Sequence, residues 1–463
     1  MLPIPDRSSI TQEIQASITL TIPLAASQLA QAATGFVDTI IMGWLGPNTL
    51  AAGGLGAAIF MTCYVGGLGI ITGVIPLIAQ AHGAQNKPRI RQLTAQGLWL
   101  SLFIAIPVMW LLTRAEIIMQ WIGQSPAITQ PAQTYLNILT GAYFPAIAFI
   151  MLRGVVSSIG APRAPMVIAL GGLSFNIIAN YVLAFGKLGF PALGLQGVAI
   201  ASVMNYWGIF LALLLYIFWH RQLKHYHLFA KLKELNLPLL RELLHLGLPI
   251  GVSFTTEAGL FSVTTFLMGL ISTEILAAHQ IVFQTTAIIF MVPLGMSYAT
   301  TIRVGQWLGS NDHTGIARSA YVGMFLSVSF MLLMATGILL FPTAVIGLYL
   351  DLSQPDNAAL IPIVSPLLRV AALSLILDGV QTTAAGALRG LQDTKIPMFL
   401  SFTAFWIIGL GSGYILGFRL GWGGVGLWSG QAIGVATAAL LFVSRFRRLL
   451  GQQRARKLSE GVV

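Results

Sequence analysis

A single cysteine, Cys63, in 463 residues rules out an internal disulfide and any cysteine-based metal cluster. Charge is also scarce. Only 8% of residues are Asp, Glu, Lys or Arg, against about 25% in an ordinary soluble domain. No HExxH, GxSxG or glycine-rich phosphate loop is present, so the chain lacks the means to hydrolyse ATP and is not expected to be an enzyme. With no cofactor expected, work done by this chain draws on an ion gradient, worth about 2.3 kcal/mol per charge per 100 mV plus the concentration term. The first 17 residues are polar and lack an apolar core with a small-residue cleavage site, so no removed leader is expected and the first helix serves as signal and anchor.

What fills the sequence is apolar: 56% hydrophobic residues and a mean hydropathy of +0.81. A spanning helix needs about 20 mostly apolar residues. Windows at 16–44, 48–78, 94–113, 130–152, 164–186 and 194–219 qualify, and six more follow at 243–271, 274–306, 317–342, 360–388, 397–418 and 424–445. The fold class is an all-α polytopic membrane protein with twelve transmembrane helices. The net charge of +11 does not imply nucleic acid, because the basic residues are distributed asymmetrically. Arg7, Lys87, Arg89, Arg91, Arg153, Arg163, the 221–241 cluster, Arg303, Arg318, Arg389, Lys395 and the tail fall on one side. Arg114, Lys187 and Arg419 fall on the other. By the positive-inside rule both termini are expected to be cytoplasmic, in the bacterial inner membrane and beside anionic lipid.

The chain repeats itself. At an offset of 226, Met42-Gly43, Leu50-Ala51-Ala52, Gly69 and Gly83 recur as Met268-Gly269, Leu276-Ala277-Ala278, Gly295 and Gly309. At an offset of 232, Gly154, Arg163, Pro165 and Met166 meet Gly386, Lys395, Pro397 and Met398. Two six-helix bundles follow, parallel because each has an even number of helices, in an architecture that transporters use. The expected division is a first lobe 1–220, a charged cytoplasmic linker 221–242, a second lobe 243–448 and a cytoplasmic tail 449–463, acting as a monomer. Most glycines are expected to serve close helix packing; Gly66-Gly67, Gly171-Gly172 and 409–413 are candidate bending points.

Three carboxylates stand against this apolar background: Asp38, Glu257 and Asp378. Each costs roughly 2.5–3.5 kcal/mol at the centre of a membrane helix, and such groups are usually retained for ions or substrates. Ser27, Gln31, Thr34 and Asp38 share one face of the first helix. The offset of 226 places Glu257 over Gln31 and Thr264 over Asp38, and the offset of 232 places Asp378 over Ala146, so the repeat of the fold is not a repeat of chemistry. Ser374, Gln381 and Thr382 flank Asp378 with oxygen ligands, the donors a hard cation prefers. Glu257 and Asp378 with these three form a candidate coupling-cation site that holds Na⁺ or shares a proton; the alternative is an acid pair kept neutral for structure. Gln31, Thr34, Asp38, Asn176 and Asn180 form a candidate proton or substrate network in the first lobe, with interhelical bonding as the alternative for the two asparagines. His279 reads as a core histidine, and Arg369 as a residue at a helix start.

The stretches GFVDTIIMG, FNIIANYVLAFGKLG, LAAHQIVFQ, IRVGQWLGSND, LDGVQTTAAGALRGLQDTKIPM and FWIIGLGSGYILGF, in order from about residue 12 to 448, resemble multidrug and toxic compound extrusion (MATE) transporters and, within them, the NorM branch. The resemblance implies a cation-coupled antiporter that exports amphipathic, mostly cationic compounds, Glu257 and Asp378 belonging to the cation site of the C-terminal lobe and Asp38 to the N-terminal lobe. Two positions depart from the family. Another branch has an acid where this chain has Asn180, and the NorM-like pattern has a tyrosine where this chain has Ser374. The competing reading, a flippase for anionic lipid-linked precursors, calls for basic residues along the substrate path. The other alternative, an intramembrane enzyme built on a carboxylate pair, has no motif to support it.

Overall fold

The computed structural model describes residues 9–460 apart from 122, 355–356 and 358–359. Arg7 and 461–463 of the tail lie outside the described residues, as do the side chains of 453–460. Each apolar window is occupied by one long helix: α1 Ile10–Trp44, α2 Pro47–Gly83, α3 Lys87–Leu112, α4 Pro126–Ser158, α5 Arg163–Phe185, α6 Leu195–Trp219, α7 Leu237–Ile271, α8 Thr273–Gly309, α9 His313–Leu340, α10 Ile361–Gly390, α11 Lys395–Arg419 and α12 Gly423–Glu460. Eleven are long and apolar enough to cross a membrane. The exception is α1, whose polar stripe dilutes its hydropathy. Two ends extend past the expected windows: α1 begins at Ile10 rather than 16, and α12 runs on through most of the expected tail.

Local chemistry sets the helix starts. Asn86 accepts the Arg89 N–H at 3.0 Å, Ser272 accepts that of Ile275 at 3.2 Å, and Asp312 accepts those of Thr314 and Gly315 at 2.9 and 3.0 Å. Each cap satisfies a donor that the first turn leaves without a helical partner. Close approach depends on small residues. A Cβ on Gly430 of α12 would lie 2.2 Å from the Gly413 backbone of α11, and one on Gly434 would lie 2.9 Å from Gly409. The candidate bend at 409–413 is therefore a packing surface, and α11 carries wide π-type turns that run into it and follow it, Thr403–Leu410 and Ile415–Arg419.

The helices form two compact units: residues 26–251, and residues 9–25 together with 252–460. The division falls inside α1 and α7, at points exactly one repeat offset of 226 apart, and each follows a helix-interior proline, Pro23 and Pro249, by two residues. The linker expected at 221–242 is thus not where the units part. The first unit holds it firmly. Arg91 Nε donates to the Tyr226 carbonyl at 2.7 Å, Trp99 Nε1 to that of Leu232 at 2.9 Å, and Gln96 Nε2 to that of Glu234 at 2.7 Å. Arg89 then pairs with Glu242 through both carboxylate oxygens, at 2.8 and 2.6 Å.

Repeat-related contacts seat the start of each crossing helix. In the first unit a Cβ on Gly69 would lie 2.4 Å from Gly251; in the second, one on Gly295 would lie 2.7 Å from Ala25. Both members of the pair are shifted by 226. The second unit adds a buried ion pair in which Arg303 donates to both oxygens of Glu13, at 2.8 and 2.7 Å. Ser319 and Trp307 donate to the same carboxylate at 2.6 and 3.2 Å, and Glu13 is 0% exposed. Arg303 and Arg153, which the sequence places at helix ends among the orienting charges, are both buried; Arg153 donates to Gln28 at 2.5 Å.

Candidate functional sites

In the first unit, the stripe on α1 meets polar faces of α5 and α6. Asn180 Nδ2 donates to Asp38 Oδ1 at 2.6 Å and to Asn176 Oδ1 at 3.0 Å, and Ser202 Oγ donates to Asp38 Oδ2 at 2.7 Å. Both asparagines are 0% exposed. Buried Asn176 Nδ2 and Asn180 Oδ1 are left without a hydrogen-bond partner among the described residues. Such orphans are costly in a protein interior. Asn180 thus keeps an acceptor oxygen for an incoming proton donor or a hard cation, next to a carboxylate that two neutral donors hold in place.

Gln31 and Thr34 sit further along the same face. Gln31 accepts a long 3.4 Å bond from the Tyr64 hydroxyl, while Thr34 donates to its own helix at Ala30. Both line a small cavity with Asn205, Tyr206, Ile209 and Ala169, and Gln31 Nε2 and Asn205 Oδ1 are buried there without partners among the described residues. The sequence stripe is therefore two neighbouring features: a bonded cluster at Asp38 and a polar cavity at Gln31. Ser202 escaped the sequence reading because it lies in an apolar run; its spacing of three to Asn205 was the available signal.

In the second unit, Asp378, Gln381 and Thr382 come together on α10. Thr382 donates to Gln381 at 2.9 Å and to Asp378 at a weak 3.5 Å. Ser374, expected to serve the same site, donates to the Ala371 carbonyl at 2.8 Å, the usual way for a helix-interior serine to satisfy its proton, and its oxygen keeps its acceptor lone pairs. Glu257 on α7 is close enough for its charge to act on Asp378, and no hydrogen bond reaches it from the described residues. Packing fixes the α10 backbone beneath: Ser297 Oγ donates to the Thr382 carbonyl at 2.6 Å and Thr301 Oγ1 to that of Gly386 at 2.8 Å. No group of three or more His, Cys, Asp or Glu side chains suited to a metal occurs among the described residues. A cation at Glu257 and Asp378 would therefore complete its shell with neutral oxygens, of which Gln381 and Thr382 are at hand.

His279 is fully buried, with Nε2 2.9 Å from the Thr265 hydroxyl and its ring beside Phe283 and Trp428. This is the setting of a core histidine. Arg369 is exposed.

Comparison with known proteins agrees over nearly the whole chain. The MatE family model matches residues 23–182 and 249–415. A probable multidrug resistance protein NorM of Synechocystis sp. is 46% identical over 449 residues, covering 97% of each chain. One from Synechococcus sp. is 46% identical over 441 residues, covering 95% of each. Among solved structures, a MATE in complex with MaL6 superposes with a TM-score of 0.86 at 21% identity, covering 96% of this chain and 97% of that one. The eukaryotic MATE transporter AtDTX14 superposes with a TM-score of 0.83 at 19% identity, covering 96% and 99%.

Proposed function

The chain belongs to the MatE family, and from that premise we propose that it is a secondary active antiporter exchanging Na⁺ or H⁺ for amphipathic organic cations across the bacterial inner membrane. The observation that carries this reading is the presence, in each unit, of a membrane-embedded acid among neutral oxygen donors: Asp38 with Asn180 and Ser202, and the Glu257–Asp378 pair with Gln381 and Thr382. A desolvated carboxylate is neutralised by a proton, a metal ion or an organic cation, and each reduces what the others gain by binding. Entry of the coupling ion at Glu257 and Asp378 thus expels the organic cation while the protein alternates between states open to either side of the membrane. Both termini face the cytoplasm, and one chain is the working unit.

A carrier of anionic lipid precursors needs a surplus of positive charge along its path. The second unit does hold Arg389 close to Glu257, but two acids outnumber it. Efflux of a cationic dye from proteoliposomes under separately imposed Na⁺ and pH gradients tests the antiport. Export should follow one of the gradients, and Glu257→Gln or Asp378→Asn should abolish it while leaving membrane expression intact. Wild-type export by both neutral variants would sink the assignment.

A further inference from the structure

The site reading leaves a guanidinium beside Glu257 unused, that of Arg389. Arg389 ends the last turn of α10, and its guanidinium carbon lies 4.8 Å from the ring centroid of Phe254 on α7. A guanidinium over an aromatic face is held there by the ring quadrupole. Phe254 and Glu257 are three residues apart and so share a face of α7, one turn from each other. Arg389 and Asp378 are eleven residues apart, about three full turns, and so share a face of α10. The guanidinium therefore lies on the faces that carry both acids, beside Glu257 and about three turns of α10 from Asp378, so its charge acts on Glu257 directly and on Asp378 only through it. Among the described residues its buried Nη1 has no hydrogen-bond partner, and it belongs to none of the direct ion pairs found there. The other groups whose charge bears on Arg389 or Glu257 are Asp378 and the Tyr298 phenol on α8. The repeat offset of 232 places Ser157 at the matching position of the first unit, where a single acid, Asp38, is held by neutral donors.

We propose that Arg389 is the fixed countercharge of the Glu257–Asp378 pair, leaving these three groups together one net negative charge and hence a place for a single exchangeable monovalent cation. Two ionised acids alone would attract two cations and hold them tightly. With the guanidinium near but not touching, one charge is balanced permanently and the other is left to the traffic of ions and substrate. Arg389 acts through the carboxylates and is a positioning residue. The proposal rests on the reading of that pair as the coupling-cation site.

The test is a charge-balance series on purified full-length protein in lipid nanodiscs, following binding of radiolabelled Na⁺ at fixed pH and proton uptake on acidification without Na⁺, each in the absence of an organic cation. Arg389→Gln, with net charge −2, should lower the midpoint concentration for binding of the coupling cation about tenfold, whereas Arg389→Lys should stay within about threefold of wild type. Glu257→Gln, with net charge 0, should raise the midpoint at least about thirtyfold. The double variant E257Q/R389Q returns the net charge to −1 and should bring the midpoint back to within about threefold of wild type, a rescue that a merely structural role would not produce. A wild-type midpoint in R389Q, or a double variant as impaired as E257Q, overturns the proposal. A wild-type midpoint in E257Q instead removes the cation-site reading itself, and the countercharge with it.

Discussion

The two units carry the same interhelical hydrogen bond with different chemistry. In the first, Ser202 on α6 donates to Asp38 on α1 at 2.7 Å; in the second, Gln431 on α12 donates to Thr264 on α7 at 2.8 Å. Asp38 and Thr264 differ by the repeat offset of 226, and Ser202 and Gln431 differ by 229. The scaffold has kept a polar clasp between the first and last helices of each bundle, but only one copy is charged. The two candidate-site acids of the second unit lie elsewhere and are loosely bonded, Glu257 without a hydrogen bond among the described residues and Asp378 with one at 3.5 Å. A carboxylate already well bonded gains less from a further ligand than one that is not. The comparison therefore puts the looser, more exchangeable site in the second unit and a more rigid one in the first.

The largest effect that sharpens this contrast concerns stability rather than transport. Glu13 lies in the second unit and receives four donors in full burial. Glu13→Ala leaves Arg303 charged and unpaired in the interior, and breaking a buried pair in this way costs about 3–5 kcal/mol. The thermal midpoint of detergent-solubilised protein should fall clearly. Replacing both partners with E13L/R303M should recover most of the loss, because an apolar pair of similar volume carries no desolvation penalty. A single variant that melts like wild type would mean that water reaches the pair.

The clasps come next. Thr264→Val leaves Gln431 Nε2 buried without its acceptor, beside an Oε1 that already lacks a partner, and should cost about 1–3 kcal/mol of stability. Transport per folded molecule should hardly change. Asp38→Asn should do the reverse, keeping the fold while lowering cation-driven export at least about tenfold for some substrates, equivalent to about 1.4 kcal/mol. Comparing thermal midpoints with efflux rates for the two variants shows whether the charged and neutral clasps have divided structure from function. Normal export of every cation tested by D38N would make Asp38 a structural acid like its neutral counterpart.

How much of this was legible in the sequence depended on the range of the interaction. The twelve helices were readable because an apolar run of membrane length is a local property. Asp38, Glu257 and Asp378 stood out because an acid in lipid is costly without any knowledge of its partners. Glu13 did not: in sequence it belongs to the polar first 17 residues, and its partner Arg303 is 290 residues away. Arg389 read as an orienting charge at a helix end, since composition does not distinguish a guanidinium in headgroups from one over Phe254. The division within α1 and α7 was hidden for a related reason. Hydrophobic periodicity reports that a helix face is covered, not which bundle covers it.

The smallest effect tests that last point. In the first unit the ion pair that ties α7 to α3 is built differently from Glu13 with Arg303: a single Arg89 nitrogen, Nη2, donates to both oxygens of Glu242 where Arg303 uses two, and its side chains are 36% and 40% exposed. Water and salt compete for both charges, so Glu242→Gln should cost at most about 1 kcal/mol and less at high ionic strength. Three hydrogen bonds to the backbone at Tyr226, Leu232 and Glu234 still hold the preceding loop to α3 without it. A loss as large as that of Glu13→Ala, measured by the same thermal unfolding, would show that this pair and not the loop anchors the first half of α7. A loss near zero would assign that role to the loop contacts and to the Gly69–Gly251 packing, whose repeat in the second unit, Gly295 on Ala25, is reinforced by a buried charge pair.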